Sequence, residues 1–225
     1  MVKLSKHYKF VILDFVKTLV KEQLPWDKLR KENSEIFKKY GIDVAPQSLR
    51  PIIEQTASQI RFLTHLKYTP YKILQIEKEL IHAQQRFEKE SIELFNFYPD
   101  SIPFLNYAER MNRKIGILTN NSSQTVKQVF SKFKFQFNGE ITGREDVRQP
   151  KPNPEGIIKL LKKLNTKPNE SILIGDSDFD IDAAKQIGIY AIFLKRSDNF
   201  RLRYAKPDLE INSLSEISFA EDVSP

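Results

Sequence analysis

The sequence predicts an α/β fold, a doubly wound parallel sheet with an all-α segment inserted after its first strand. Three observations carry that expectation. Apolar runs at Tyr8–Leu13, Lys114–Asn120 and Ser171–Asp176 read as strands buried on both faces, as in a parallel sheet covered by helices. Amphipathic helical patterns separate the runs from Ser101 onward, so strand and helix alternate. Between the first strand and that alternation lies a stretch, Leu24 to Phe97, that is helical in pattern and has Gly41 as its only glycine.

The first strand is apolar except for Lys9 and runs directly into Asp14. Pro25 suits the first turn of a helix reaching about Tyr40, which Gly41 ends; Leu29, Ile36 and Phe37 form its apolar stripe. Pro46 opens a second helix, with Leu49, Ile52, Ile53, Ile60 and Leu63 at helical spacing. Thr69 caps a third, long helix that opens at Pro70 and carries apolar residues from Ile73 to Leu94. Tyr98-Pro99-Asp100 marks the return to the core. Helices follow at 101–112, 122–132, 155–164 and 179–187, the last stopped by Gly188. Strands are expected at 139–142, 189–194 and 209–211, and the tail beyond Phe219 is expected to fray. The expected organisation is a core of residues 1–19 and 98–225 around a helical cap of residues 20–97.

A chain of 225 residues with 40% apolar content can bury a real core. It has no cysteine, which excludes disulfides, thiolate metal sites and cysteine nucleophiles, and its three histidines form no zinc pattern. The net charge of +7 is spread among interspersed acidic residues, so it reads as a solvated surface and not as a nucleic-acid footprint. No apolar run approaches the roughly 20 residues of a membrane span. The expectation is a cytoplasmic protein with a small-molecule partner, no nucleic acid and no membrane.

Three strands end on polar groups, at Asp14, Thr119 and Asp176, and such ends collect in the crevice of an open parallel sheet. Asp14 has no packing use there and is a candidate nucleophile or metal ligand. Asp176, Asp178, Asp180 and Asp182 follow Gly175, and converging carboxylates suit Mg2+, a hard cation that takes carboxylates, water and phosphate. Asp178 or Asp180 can instead cap the next helix, and Asp182 reads as solvated. Thr119 and Asn120 offer hydrogen-bond donors, and the helix start at Ser122 favours an anion. Lys151 sits among Pro150, Pro152 and Pro154, where the pre-set backbone lowers the entropy cost of aiming one ammonium at a phosphoryl oxygen.

Taken together and in order, Asp14-x-x-x-Thr18, Thr119-Asn120, Lys151-Pro-Asn-Pro and Gly175-Asp-Ser-x-x-Asp180 resemble the haloacid dehalogenase superfamily. The resemblance is strongest to its phosphoglycolate-phosphatase-like branch, with a Rossmann-like core and an inserted cap. It implies that Asp14 is the nucleophile and forms a phosphoaspartate, and that Lys151 stabilises the charge. It implies that Thr119 binds the phosphoryl group with Thr18 and Asn120. It also implies Mg2+ held by Asp14, Asp176 and the backbone carbonyl of Val16, with Asp180 close by. The departure is Val16, where phosphatases of this superfamily carry the Asp that acts as general acid and base, a loss of about 10²–10⁴ in rate. Lys17 also replaces a usual glycine; it can in principle donate a proton but is a poor base unless desolvated.

Three functions stay open on this reading. The first is a Mg2+-dependent phosphatase of a small phosphorylated metabolite, slow or confined to activated leaving groups. The second is a dehalogenase- or phosphonatase-type hydrolase of a carbon–heteroatom bond, for which Lys67 and Lys72 are the available cap lysines. The third is a phosphate- or partner-binding protein without turnover. Arg61, His65 and Tyr68 are cap positions that suit either substrate contact or an ordinary surface or core role.

Overall fold

The computed structural model describes residues 1–45, 68–197 and 201–220. The chain starts with β1 (Val2–Leu4) and β2 (Phe10–Leu13). All four residues of β2 are fully buried, as a strand flanked on both sides and covered on both faces requires. The strand begins at Phe10, two residues later than its apolar run suggests; Lys9 instead uses its main chain at the sheet edge, bonding Glu170 and Lys114. Next come β3 (Val20–Glu22), α1 (Trp26–Lys39), α2 (Pro70–Glu90) and β4 (Phe95–Phe97). The alternation then runs α3 (Ser101–Arg110), β5 (Lys114–Leu118), α4 (Ser123–Lys132), β6 (Glu140–Thr142), α5 (Glu155–Leu164), β7 (Ser171–Gly175), α6 (Asp178–Lys185), β8 (Tyr190–Leu194), β9 (Leu209–Ile211) and β10 (Ile217–Phe219).

Six strands form one wholly parallel sheet in the order β6-β5-β2-β7-β8-β9. The chain builds outward from β2 through β5 to β6, then returns to the other side of β2 to place β7. The switch point is therefore at β2, and Asp14 follows its last residue, in the crevice that such a reversal opens. The alternation of side chains gives each face its own core. Phe10, Ile12, Leu118, Leu173, Ala191 and Phe193 pack with Ile157, Leu160 and Leu161 of α5 and Ile181 and Ala184 of α6. Val11, Leu13, Ile115, Ile117, Ile172 and Ile174 point to the opposite face and are equally buried.

Two small pairings were not expected. β1 pairs in parallel with β10, and β3 pairs antiparallel with β4 in the register Val20↔Phe97 and Glu22↔Phe95. The chain divides into two units, Met1–Glu22 with Phe95–Pro225, and Gln23–Leu94. The division falls inside the 20–97 segment anticipated from sequence, because the β3–β4 ribbon belongs with the sheet-bearing unit.

In the second unit α1 and α2 run antiparallel, as the cross-helix pairs Lys28–Glu90, Glu32–Arg86 and Lys39–Glu79 require. Phe37, Ile42, Ile76 and Leu80 form its small core, and Trp26 packs on Phe87. Thr69 caps α2 through the amide of Lys72, with Pro70 at the first helical position. The helix expected from Pro46 lies outside the described residues, as do Arg61, His65 and Lys67. Among the described residues no helix is long and apolar enough to cross a membrane.

Candidate active site

Asp14 sits one residue beyond β2, its amide bonded to the Ile174 carbonyl of β7 at 2.9 Å. The ladder thus reaches past the strand and fixes the backbone that carries the carboxylate. Asp14 is only 6% exposed. Its Oδ1 accepts from Lys151 Nζ at 2.5 Å and its carboxylate takes the Phe15 amide, while Oδ2 has no partner.

Lys151 reaches this carboxylate from the proline loop. Its ammonium donates to Asp14 Oδ1 (2.5 Å), Asp180 Oδ1 (2.6 Å) and the Leu118 carbonyl at the end of β5 (3.1 Å), which uses all three of its protons. The loop is held by Asn120. Its Oδ1 accepts from the Lys151 amide at 3.1 Å and its Nδ2 donates to the Lys151 carbonyl at 3.3 Å. The Asn120 side chain thus acts on the main chain of Lys151 and, through it, on the ammonium.

Asp176 follows β7 and Asp180 lies in the first turn of α6. The alternatives of capping and site duty for Asp180 turn out to be simultaneous. Its Oδ2 reaches back to the amide and hydroxyl of Ser177 at 3.1 and 2.5 Å, closing the helix start, while Oδ1 faces Lys151. Asp178 turns away and accepts the amides of Arg203, Tyr204 and Ala205. Asp182 is half-buried and joins neither group.

Carboxylate oxygens of Asp14, Asp176 and Asp180 lie within 4.8 Å of one another, and all three residues are buried. Burial raises Asp14 to about 6; the Lys151 ammonium pulls it down, and the neighbouring Asp180 adds to the rise. Burial, with Asp14 and Asp180 close by, pushes Asp176 well above the usual carboxylate range. Burial pulls Lys151 down, but the two carboxylates outweigh it and hold the ammonium above its ordinary value. One ammonium therefore faces three buried carboxylates. The surplus of negative charge, the uncommitted Asp14 Oδ2 and the all-oxygen donor set fit a hard divalent cation such as Mg2+. Val16 fits the same reading through its backbone. The tight turn at 15–20 uses the Phe15 carbonyl and the Lys17 amide, leaving the Val16 carbonyl outside its hydrogen bonds.

Thr18 is fully buried and its hydroxyl has no partner, a cost of about 1–3 kcal/mol that marks it as kept for something else. Thr119 continues from β5, its amide on the Thr142 carbonyl, and its hydroxyl accepts the Asn121 amide at 3.1 Å, which leaves the hydroxyl proton to donate. The helix start at Ser122 already has its anion. Glu145 Oε1 accepts from the amide and hydroxyl of Ser123 at 2.9 and 2.5 Å and from the Ser122 hydroxyl at 3.3 Å. Lys17 is exposed and left-handed, with φ of 63°, the conformation that a glycine would enter at least cost.

Two groups near the site carry no sequence signal. Glu145 is an ordinary acid in a loop, and Arg196 is one of several basic residues after β8. Only Asp100, in Tyr-Pro-Asp before a helix, shows a pattern, and that pattern reads as a turn.

A family model described as haloacid dehalogenase-like hydrolase matches residues 11–194. A haloacid dehalogenase-like hydrolase domain-containing protein of Arabidopsis thaliana is 27% identical over 185 residues, which cover 79% of this chain and 73% of the relative. Pyrophosphatase PpaX of Bacillus mycoides is 28% identical over 144 residues, 62% of this chain and 67% of its own. The solved structure of CbbY from Rhodobacter sphaeroides in complex with phosphate shares the fold, with a TM-score of 0.66 at 21% identity over 93% of this chain and 96% of that one. One family model thus spans the chain from β2 to the last residue of β8, and the protein belongs to the haloacid dehalogenase-like hydrolases.

Proposed function

We propose that this hydrolase is a Mg2+-dependent phosphohydrolase that takes a phosphoryl group onto Asp14 and acts on a small phosphorylated metabolite whose leaving group departs unprotonated. The observation that carries this reading is the contact of Lys151 with both Asp14 and Asp180, which sets a fixed ammonium beside a carboxylate that keeps one oxygen uncommitted. In the first step an Asp14 oxygen bonds to phosphorus. The bond from phosphorus to the leaving oxygen breaks, and that oxygen keeps the electron pair. Lys151 offsets the charge between nucleophile and phosphoryl group, and the hydroxyls of Thr18 and Thr119 are the donors left for phosphoryl oxygens. Water then attacks the same phosphorus, Asp14 returns as a carboxylate, and inorganic phosphate leaves with the proton passing to solvent or phosphate. Asp14, Asp176 and the Val16 carbonyl, with Asp180 alongside, would hold a Mg2+ ion, which would supply charge neutralisation at the phosphoryl oxygens.

Val16 sets the substrate class. Valine can neither protonate a leaving alkoxide nor activate water, so simple alkyl phosphates lose about 10²–10⁴ in rate. Acyl phosphates and phosphoanhydrides leave as weak bases and need no such acid. That a relative is named a pyrophosphatase agrees with this class. Val16 also favours a second reading, a phosphate-binding protein that has lost turnover. The carbon–heteroatom reading gains nothing further, because Lys72 lies 4.5 Å over the Tyr68 ring and Lys67 is outside the described residues.

The test is hydrolysis of acetyl phosphate, pyrophosphate and glycerol phosphate, with and without Mg2+, by wild type, Asp14→Asn and Val16→Asp. Asp14→Asn abolishes all activity. Val16→Asp raises glycerol phosphate hydrolysis about tenfold or more and changes acetyl phosphate little. Activity retained by Asp14→Asn sinks the reading. Beryllofluoride binding by a wild type that hydrolyses nothing selects the non-catalytic one.

A further inference from the structure

We propose that Arg196 is a positioning residue for the loop that follows Asp14, an inference that rests on the phosphohydrolase reading and adds to it. Arg196 lies two residues past β8 and touches none of Asp14, Lys151, Asp176 or Asp180. Its Nη2 donates to the Thr18 carbonyl at 2.5 Å. Its Nη1 bonds both carboxylate oxygens of Asp100, at 2.8 and 2.7 Å, and its Cζ lies over the Tyr98 ring, 4.1 Å from the centroid. Asp100 is itself held by the Ser213 hydroxyl at 2.6 Å and the Leu214 amide at 2.8 Å. The next carbonyl of the loop, Leu19, accepts from the Tyr98 amide at 3.0 Å and the Ser101 hydroxyl at 2.7 Å. Two consecutive carbonyls are therefore tied to the 98–101 turn and to Arg196.

The charge arithmetic decides what kind of role this is. Asp100 neutralises Arg196 through direct bonds from Nη1, so the guanidinium is no receptor for a phosphoryl anion. Its remaining effect is geometric. The Thr18 hydroxyl, buried and without a partner, stands on the same residue whose carbonyl Arg196 fixes, and the Val16 carbonyl lies two residues upstream in the same turn. A planar fork can bind carboxylate and carbonyl at once while lying on an aromatic face; an ammonium cannot reproduce that. Displacement of a reacting group by about 1 Å can cost about 10²-fold in rate, so loss of the fork is felt in kcat.

The structure also offers a way to separate this role from mere folding support. Tyr98, Asp100, Arg196 and Ser213 line an open groove of about 920 Å3, so a free guanidinium ion can reach the place that the side chain vacates. The experiment compares wild type, Arg196→Ala and Arg196→Lys on acetyl phosphate, with beryllofluoride affinity as a second readout and circular dichroism to check that each variant is folded. Arg196→Ala lowers kcat by about 10²-fold with KM changed far less, and weakens beryllofluoride binding. Millimolar guanidinium restores about tenfold of the lost rate, urea restores none, and Arg196→Lys recovers little. A folded Arg196→Ala that matches wild type, or one that guanidinium does not rescue, overturns the proposal while leaving the Asp14 reading intact. A wild type that binds no beryllofluoride and turns nothing over overturns both.

Discussion

A methyl group on residue 175 would occupy the space that Asp180 needs. A Cβ built there lies 2.3 Å from the Asp180 Cβ and 2.4 Å from its Cγ, and neither atom is the free end of a flexible chain, because Asp180 is clamped between Ser177 and Lys151. Gly175→Ala therefore displaces the carboxylate, costs about 1–3 kcal/mol in stability and lowers turnover by about 10²-fold. Thermal unfolding and acetyl phosphate kinetics on the one variant check both, and a variant with normal kcat contradicts the placement of Asp180. At this scale the sequence is readable where chemistry needs a fixed spacing. Asp14, Asp176 and Asp180 meet in space because each follows a strand or opens a helix at the same sheet edge, and Lys151 reaches them from the proline loop. Arg196 and Glu145 are unreadable for the opposite reason. They act on main-chain groups far away in sequence, so no local pattern is required of them.

At the scale of the element, α4 shows how a feature that suggests ligand binding can be satisfied from within. Its first turn presents the Ser123 amide and two hydroxyls, and Glu145 takes all three. Burial alone would raise the Glu145 carboxyl, but the bonds from Ser123 outweigh it and hold it below the usual carboxylate value. The sign follows. A depressed folded-state pKa contributes stability above the unfolded value, near pH 4.3, and that stability is lost as pH falls through the folded value. Glu145→Gln is therefore less stable than wild type near neutral pH, by a margin that solvent screening keeps small at this exposed residue, and the gap closes in acid. Urea unfolding of both proteins across that range measures it; a gap that stays constant with pH assigns the effect to packing instead of charge. Strand legibility divides in a similar way. β2, β5 and β7 are written in three or four large apolar residues each. β1, β3, β4 and β10 are three residues long, and the partner of β1 lies at the other end of the sequence, so nothing local distinguishes them from loop.

At the scale of the whole molecule, the parallel sheet gathers like charges that an unfolded chain would keep apart. Three buried carboxylates against one ammonium disfavour the metal-free fold, and a divalent cation at the proposed site would reverse the sign. Mg2+ at about a hundredfold excess over its Kd therefore stabilises wild type by about 2.7 kcal/mol, read as a rise in Tm. Asp176→Asn abolishes that rise and lifts the Tm of the metal-free protein, since it removes one of the three charges. An unchanged Mg2+ response in this variant removes Asp176 from the cation site.

The β3–β4 ribbon has a consequence for the architecture of the chain. Glu22 and Phe95 stand opposite each other in an antiparallel pair, at strand spacing of about 4.8 Å. The ribbon is in effect a hairpin whose loop has grown into the unit Gln23–Leu94. Any segment whose own ends lie a strand's width apart can be spliced at that point without re-threading the sheet. The ribbon thus works as a socket in the chain: residues 23 and 94 leave and re-enter it side by side, and Asp14, Lys151 and Asp176 all belong to the unit that carries it.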